Sequence, residues 1–173
     1  YPKEFMAALM SSVMDNVSKF SEYILTCRRM MDIAILPPDI NEGEPGFSVS
    51  GKSIRYGLTA IKGVGHPVAD AVIAERKQRG VFKNLQDFLS RMSDTEVNKR
   101  NVENFIKAGA FDSLEGTRKQ FMSVFVQLMD QNQQNRKNNM AGQLSLFDLV
   151  DESEKKNYEI RFRMSGNIRR KFF

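Results

Sequence analysis

The 173-residue sequence contains no tryptophan, a single cysteine (Cys27), a single histidine (His66) and only five prolines. One cysteine excludes an internal disulfide and suits a reducing compartment, so a cytoplasmic protein is expected. One histidine and one cysteine leave almost no room for a metal site built on those ligands. No apolar run approaches the roughly 20 residues that a membrane-spanning helix needs, and no membrane partner is expected. No catalytic set emerges either. The carboxylates Asp15, Asp39, Asp70 and Asp112 are scattered, and Ser11 and Ser12 have no histidine near them in sequence. Hydrophobic content is 41%, slightly low for a compact domain, so part of the chain is expected to lie outside a core. The first residue is Tyr1, and the expectation is a piece of a longer polypeptide.

What is present is charge, unevenly placed. The net charge is +5. Residues 1–50 carry 4 Lys/Arg against 7 Asp/Glu, whereas residues 51–83 carry 7 against 2. The basic middle block is where a polyanion would bind, although a solvated basic surface gives the same count.

Periodicity points to a mainly α chain. Phe5, Leu9 and Val13 recur at helical spacing after Pro2, with Met6 and Met10 beside them. A second helix places Phe20, Tyr23, Ile24, Cys27 and Met31 on one face, with Ser18 as its expected cap and Arg28 and Arg29 near its end. Pro37 and Pro38 keep "IAILPPDIN" from being helical, so it is expected to be extended. "FSVSGKSIRYGL" alternates as a hairpin that turns at Gly51 and Lys52, where Tyr56 is read as a packing residue. Helices are expected up to Ile61, from Pro67 to Gly80, over "NLQDFLSRM", over "KRNVENFIKA" capped by Asn98, and over "FMSVFVQLM" behind a Thr117–Gln120 capping box. Residues 130–142 are rich in Asn, Gln, Arg and Lys and read as a flexible linker. The expected fold is a helical bundle with a small β-hairpin, a helix-hairpin-helix module and a disordered C-terminal tail.

"IKGVG" carries the clearest chemistry. A helix that ends in hydrophobe–Gly–hydrophobe–Gly and restarts at once is a helix-hairpin-helix signature. Two glycines admit positive φ and let a partner approach without a Cβ in the way. The amides of Gly63, Val64, Gly65 and His66 would then face out at the positive end of the next helix, with Lys62 beside them. Such an arrangement receives phosphate oxygens of duplex DNA without reading sequence. An ordinary tight αα-turn is the alternative, and the local charge favours DNA. "KAGAF" at 107–111 is a weaker second hairpin with one glycine in a neutral block. Farther on, Leu144, Leu146 and Phe147 of "GQLSLF" hang on polar sequence. They either fold back on the helices or are offered to another protein.

The ordered strings "YPKEFMAALMSSVMDN", "LPPDIN", "IRYGLTAIKGVG", "VNKRNVENFIKAGAFDSL" and "GQLSLF" resemble the C-family replicative DNA polymerases of bacteria, the DNA polymerase III alpha subunits. The resemblance covers about residues 1–150. It implies the rear of a fingers region (1–57), a helix-hairpin-helix DNA-binding module (58–129), a linker (130–142) and a peptide for the sliding clamp (143–147). In that peptide Gln143 would hydrogen-bond at the clamp surface, with Leu144 and Ser145 beside it and Leu146 and Phe147 in an apolar pocket. Other replicative holoenzyme subunits are implied as further partners. The parent activity would be nucleotidyl transfer with Mg, whereas the carboxylates that bind that metal lie upstream of Tyr1 in the family, so no cofactor and no activity are expected of this segment alone. Asp32 stands where the family tends to place glycine, and Asp tolerates a left-handed backbone. A free-standing DNA-repair adaptor that binds DNA and the clamp is the competing reading.

The last segment, 148–173, is expected to be disordered. From Arg161, "RFRMSGNIRRKFF" has no counterpart in the family, which continues with a string like "IPDVGEYSEEV". Permitted codons for this tail, read one frame over, give Ile-Pro-Asp-Val-Gly-Glu-Tyr-Ser-Glu-Glu-Val-Phe. The tail is therefore expected to be an out-of-frame translation without selected structure.

Overall fold

The computed structural model describes residues 1–14 and 16–140; the clamp-type peptide 143–147 and the tail 148–173 lie outside the described residues. Helices α1 (Pro2–Ser12) and α2 (Val17–Met30) come first. Strands β1 (Ile35–Leu36), β2 (Ser48–Ser50) and β3 (Ser53–Arg55) follow, then a 3₁₀ turn at Leu58–Ala60. Helices α3 (His66–Arg79), α4 (Leu85–Arg91), α5 (Lys99–Ala108) and α6 (Arg118–Met140) complete the order.

Helices α2, α4, α5 and α6 begin where a side chain can satisfy a free amide, whereas α1 and α3 have no side-chain cap. Asn84 Oδ1 accepts from the Asp87 amide at 2.8 Å to start α4. Asn98 and Asn101 exchange bonds of 3.0 and 3.1 Å at the start of α5. Thr117 and Gln120 do the same for α6, at 2.9 and 3.3 Å. In α2 the cap is Asn16, whose Oδ1 accepts from the Lys19 amide at 3.1 Å. Ser18, expected in that role, already lies inside the helix. Glycines close α3 and α5, with φ of 82° at Gly80 and 84° at Gly109. Past the end of α2, Asp32 has φ 51°, the left-handed backbone anticipated for it.

The expected β-hairpin is present. β2 and β3 pair antiparallel, Val49 opposite Ile54, around Gly51. The sheet has a third member, β1, parallel to β3 in the order β1-β3-β2. Its segment is extended, as expected, but two residues ahead of a Pro-Pro pair carry too little pattern to announce a strand partner.

Three further expectations need correction. Helix α1 buries Met6, Ala7 and Met10, not the Phe5–Leu9–Val13 stripe, and Phe5 is exposed. The unbranched methionines fit the irregular space beside Cys27, Phe47 and Ile54. The helix expected before Ile61 is only a 3₁₀ turn. Its neighbours are committed elsewhere: Leu58 N donates to Glu44 O, and Thr59 donates through N and Oγ1 to Pro45 O. Finally, 130–140 is helix, not flexible linker. No glycine or proline stands between Thr117 and Ala141, and Lys99–Asp130 (2.6 Å) and Arg136–Asp94 ion pairs fix α6 beyond its last core residue.

Two apolar clusters result. The smaller joins α1, α2 and the sheet, with Phe20, Phe47 and Tyr56 in mutual ring contact at 4.8–5.8 Å. The larger runs from Ile40 to Phe125 and is threaded by Phe82, Phe88, Phe105, Phe111 and Phe121, with linked ring centroids 4.9–6.2 Å apart. Packing crosses the expected boundary at 57/58. Ile40 sits in the larger cluster, Ile40 N donates to Ala110 O, and Asn41 exchanges bonds with Phe82 of 2.7 and 2.9 Å.

Candidate nucleic-acid interface

The loop Ile61–Gly65 joins the 3₁₀ turn to α3. Ile61 and Val64 are buried plugs, while Lys62, Gly63, Gly65 and His66 are exposed. Two buried apolar side chains alternating with exposed positions anchor the loop and push its backbone outward. Gly63 has φ 79°, a conformation that side chains disfavour. Gly65 is the N-cap of α3 with extended backbone, and Pro67 occupies the second helical position.

The four expected amides are not equivalent. Val64 N donates to Ile61 O at 3.0 Å, and its side chain is core, so Val64 is spent inside the loop. Among the described residues the N–H groups of Gly63, Gly65 and His66 find no protein acceptor. Gly65 and His66 stand at the start of a 14-residue helix, where the backbone carries partial positive charge. An open groove of about 500 Å³, lined by Met14 and residues 59–65, lies against this loop.

Sequence reasoning missed the elements that hold the loop. Asn104 of α5 donates Nδ2 to the Lys62 carbonyl at 2.7 Å, and Asn101 donates Nδ2 to the Gly63 carbonyl at 2.8 Å. Arg100 is close as well: a Cβ built on Gly63 would come 4.0 Å from its Nε. These contacts span about forty positions, and the one visible hint was the basic, amide-rich run "NKRN" opening a helix.

The basic block is also thinner than its count. Arg55 pairs with Glu42, Arg76 with Glu44 at 3.1 Å and Arg79 with Glu75 at 2.7 Å. Arg76 also donates to the carbonyls of Ile40 and Gly43. Two of these carboxylates come from the acidic first 50 residues. Lys52, Lys62, Lys77 and Lys83 are left exposed, together with Arg100 from the nominally neutral stretch.

Other candidates resolve as structure. Burial pushes the Cys27 thiol and the Tyr56 phenol above their ordinary pKa values, which keeps both neutral and unreactive. Asp39 caps a turn, its Oδ1 accepting from the amides of Asn41 and Glu42 at 2.7 and 3.2 Å. Among the described residues no three His, Cys, Asp or Glu side chains converge as metal ligands. Among them, too, no helix is long and apolar enough to cross a membrane.

A glycine-bearing loop between a tight turn and a helix, plugged by two hydrophobes and supported by a third helix, defines a class. The chain belongs to the helix-hairpin-helix motif family, whose model matches residues 32–121. Its relatives narrow this further. The DNA polymerase III subunit alpha of Thermus aquaticus is 40% identical over 152 residues, 88% of this chain and 12% of that protein. Those of Chlamydia trachomatis and Pasteurella multocida are 37% and 40% identical over 149 and 154 residues, again 86–88% of this chain and 12–13% of each relative. The resemblance seen in the sequence is therefore shown, and the chain spans about an eighth of the length of these relatives.

Proposed function

We propose that this chain serves template-directed DNA synthesis as part of a replicative polymerase, holding duplex DNA by its backbone and docking on the sliding clamp. The observation that carries the DNA part is the trio of unpaired amides at the exposed residues Gly63, Gly65 and His66. A phosphate can accept from them, and Lys62 adds a mobile charge. None of these groups reads a base edge, so every sequence is held alike. Most of the affinity comes from counterion release and falls steeply with salt. The relatives support the polymerase setting by name, and Gln143–Phe147 supports clamp docking by its pattern of one polar anchor and apolar plugs.

Fluorescence anisotropy with two duplexes of unrelated sequence, over a salt series, tests the DNA reading. Equal affinities that fall linearly on a log–log plot are expected. Strong preference for one duplex, or insensitivity to salt, contradicts it. For docking, a peptide spanning residues 141–149 is expected to bind the bacterial clamp, and Phe147→Ala to cost about 2 kcal/mol by calorimetry. Equal affinity of the two peptides removes that part.

A further inference from the structure

We infer that α5 is a working part of the phosphate site: Asn104 positions the hairpin amide of Gly63, and Arg100 supplies a direct contact to a neighbouring phosphate. The inference rests on the DNA reading above. In a trans peptide the C=O and N–H point in opposite directions. Asn104 Nδ2 holds the Lys62 carbonyl at 2.7 Å, so the Gly63 N–H of the same peptide is aimed away from α5. A flexible Gly-bearing loop would otherwise rotate that peptide freely. Asn101 holds the next carbonyl, that of Gly63, at 2.8 Å. Its 5% exposure and its part in the α5 cap make it a poor probe, since its loss would disturb the helix itself.

Arg100 lies one turn before Asn104, on the same face of α5. It is exposed, and among the described residues no carboxylate pairs with it. The Arg100 Nε is 4.0 Å from where a Cβ on Gly63 would stand. Of the nearby cations, Arg76 is paired with Glu44, Arg79 with Glu75 and Lys99 with Asp130, which leaves Lys62 of the loop and Arg100 of α5 as the exposed ones beside the hairpin. A planar guanidinium left free beside exposed amides is suited to a phosphate diester.

The test is the duplex titration over a salt series on the full chain, with Asn104→Ala and Arg100→Ala. Asn104→Ala is expected to weaken binding about fivefold, the worth of one hydrogen bond, with little change in salt slope, because no charge is removed. Arg100→Ala is expected to lower the slope of log affinity against log salt by about 0.9, one phosphate's worth. Nuclear magnetic resonance adds a readout that a purely structural role would not move. The Gly63 amide signal should shift on adding duplex to the wild type and shift much less in Asn104→Ala. Among the described residues the Arg100 side chain makes no hydrogen bond or ion pair, so its variant reports even if Asn104→Ala is destabilised. If the wild type binds in a salt-dependent way and both variants match it in affinity, slope and Gly63 shift, α5 is only a scaffold and the inference falls while the DNA reading stands. If the wild type shows no salt-dependent binding, both fall together.

Discussion

Glu75 is the residue on which the α3–α4 junction turns. It is 8% exposed, and it bonds Arg91 Nε at 2.8 Å and Arg79 Nε at 2.7 Å. Arg91 then reaches the carbonyls of Gly80 and Glu75 at 2.8 and 3.0 Å and lies 4.3 Å above the Phe82 ring. Burial alone would raise the Glu75 pKa, but hydrogen bonds and charge from Arg91 and Arg79 outweigh it, and the carboxyl is held below its ordinary value. A depressed folded pKa contributes stability that is full above the unfolded value of about 4.3 and is lost as pH falls through the lower folded one. Glu75→Gln removes one of the two carboxylates on the nearly buried Arg91 guanidinium, leaving Asp87 at 3.3 Å, and is expected to cost about 2 kcal/mol at pH 7 in urea unfolding. The gap from wild type should shrink between pH 5 and pH 3. A gap that stays constant, or grows, over that range would show that the charge of Glu75 is not what matters. No local pattern in the sequence could name Arg91, sixteen residues away, as the partner of Glu75.

Among the elements, α6 departs most from its sequence. Composition reads residues 130–142 as linker because their polarity offers nothing to a core, and that part of the physics is right. Phe121 and Phe125 are buried and Leu128 and Met129 pack on the core, whereas the next stretch is held by surface groups. The missing information was tertiary. Asp94, Ser93 and Lys99 lie within reach of the emerging helix, and Arg136 donates to Ser93 O at 2.7 Å. Exposed pairs of this kind are worth at most about 1 kcal/mol each and are screened by salt. Hydrogen exchange is therefore expected to show slow amides from 121 to 129 and progressively faster ones from 133 onward, with the contrast sharpened in high salt. Uniform protection along α6 would mean that something other than these pairs stabilises its end. Local signals sufficed for α4 and α5, where Asn84, Asn98 and Gly109 stand at the boundaries in plain view. They failed for the 3₁₀ turn, whose amides are claimed by Glu44 and Pro45 from a loop remote in sequence.

At the scale of the molecule, the larger core holds one short loop, Ile61–Gly65, in place. Val64 and Ile61 anchor it from below, α5 holds two of its carbonyls from the side, and α3 presents its positive end from behind. The hairpin was legible because glycine spacing and hydrophobic plugs are local. Its support was not, because Asn101 and Asn104 act from some forty residues away, and because the charge count hid the pairing of Arg55 and Arg76 with Glu42 and Glu44. If close approach of a phosphate to the exposed amides holds the DNA, as proposed, Gly65 is the position that isolates it. A Cβ there would meet only Pro67 Cδ at 3.5 Å, an ordinary contact, and φ is −86°. By contrast, Gly63 has φ 79° and its Cβ would strike Asn104 at 2.8 Å, so substitution there confounds folding with binding. The decisive measurement is the duplex affinity of Gly65→Val against wild type, on two unrelated sequences, beside the thermal midpoint of each protein. Affinity lower by about tenfold or more is expected on both sequences, the loss of one to two charge-assisted bonds, with the midpoint moved by no more than a few degrees. Unchanged affinity in a folded Gly65→Val protein would contradict the proposal.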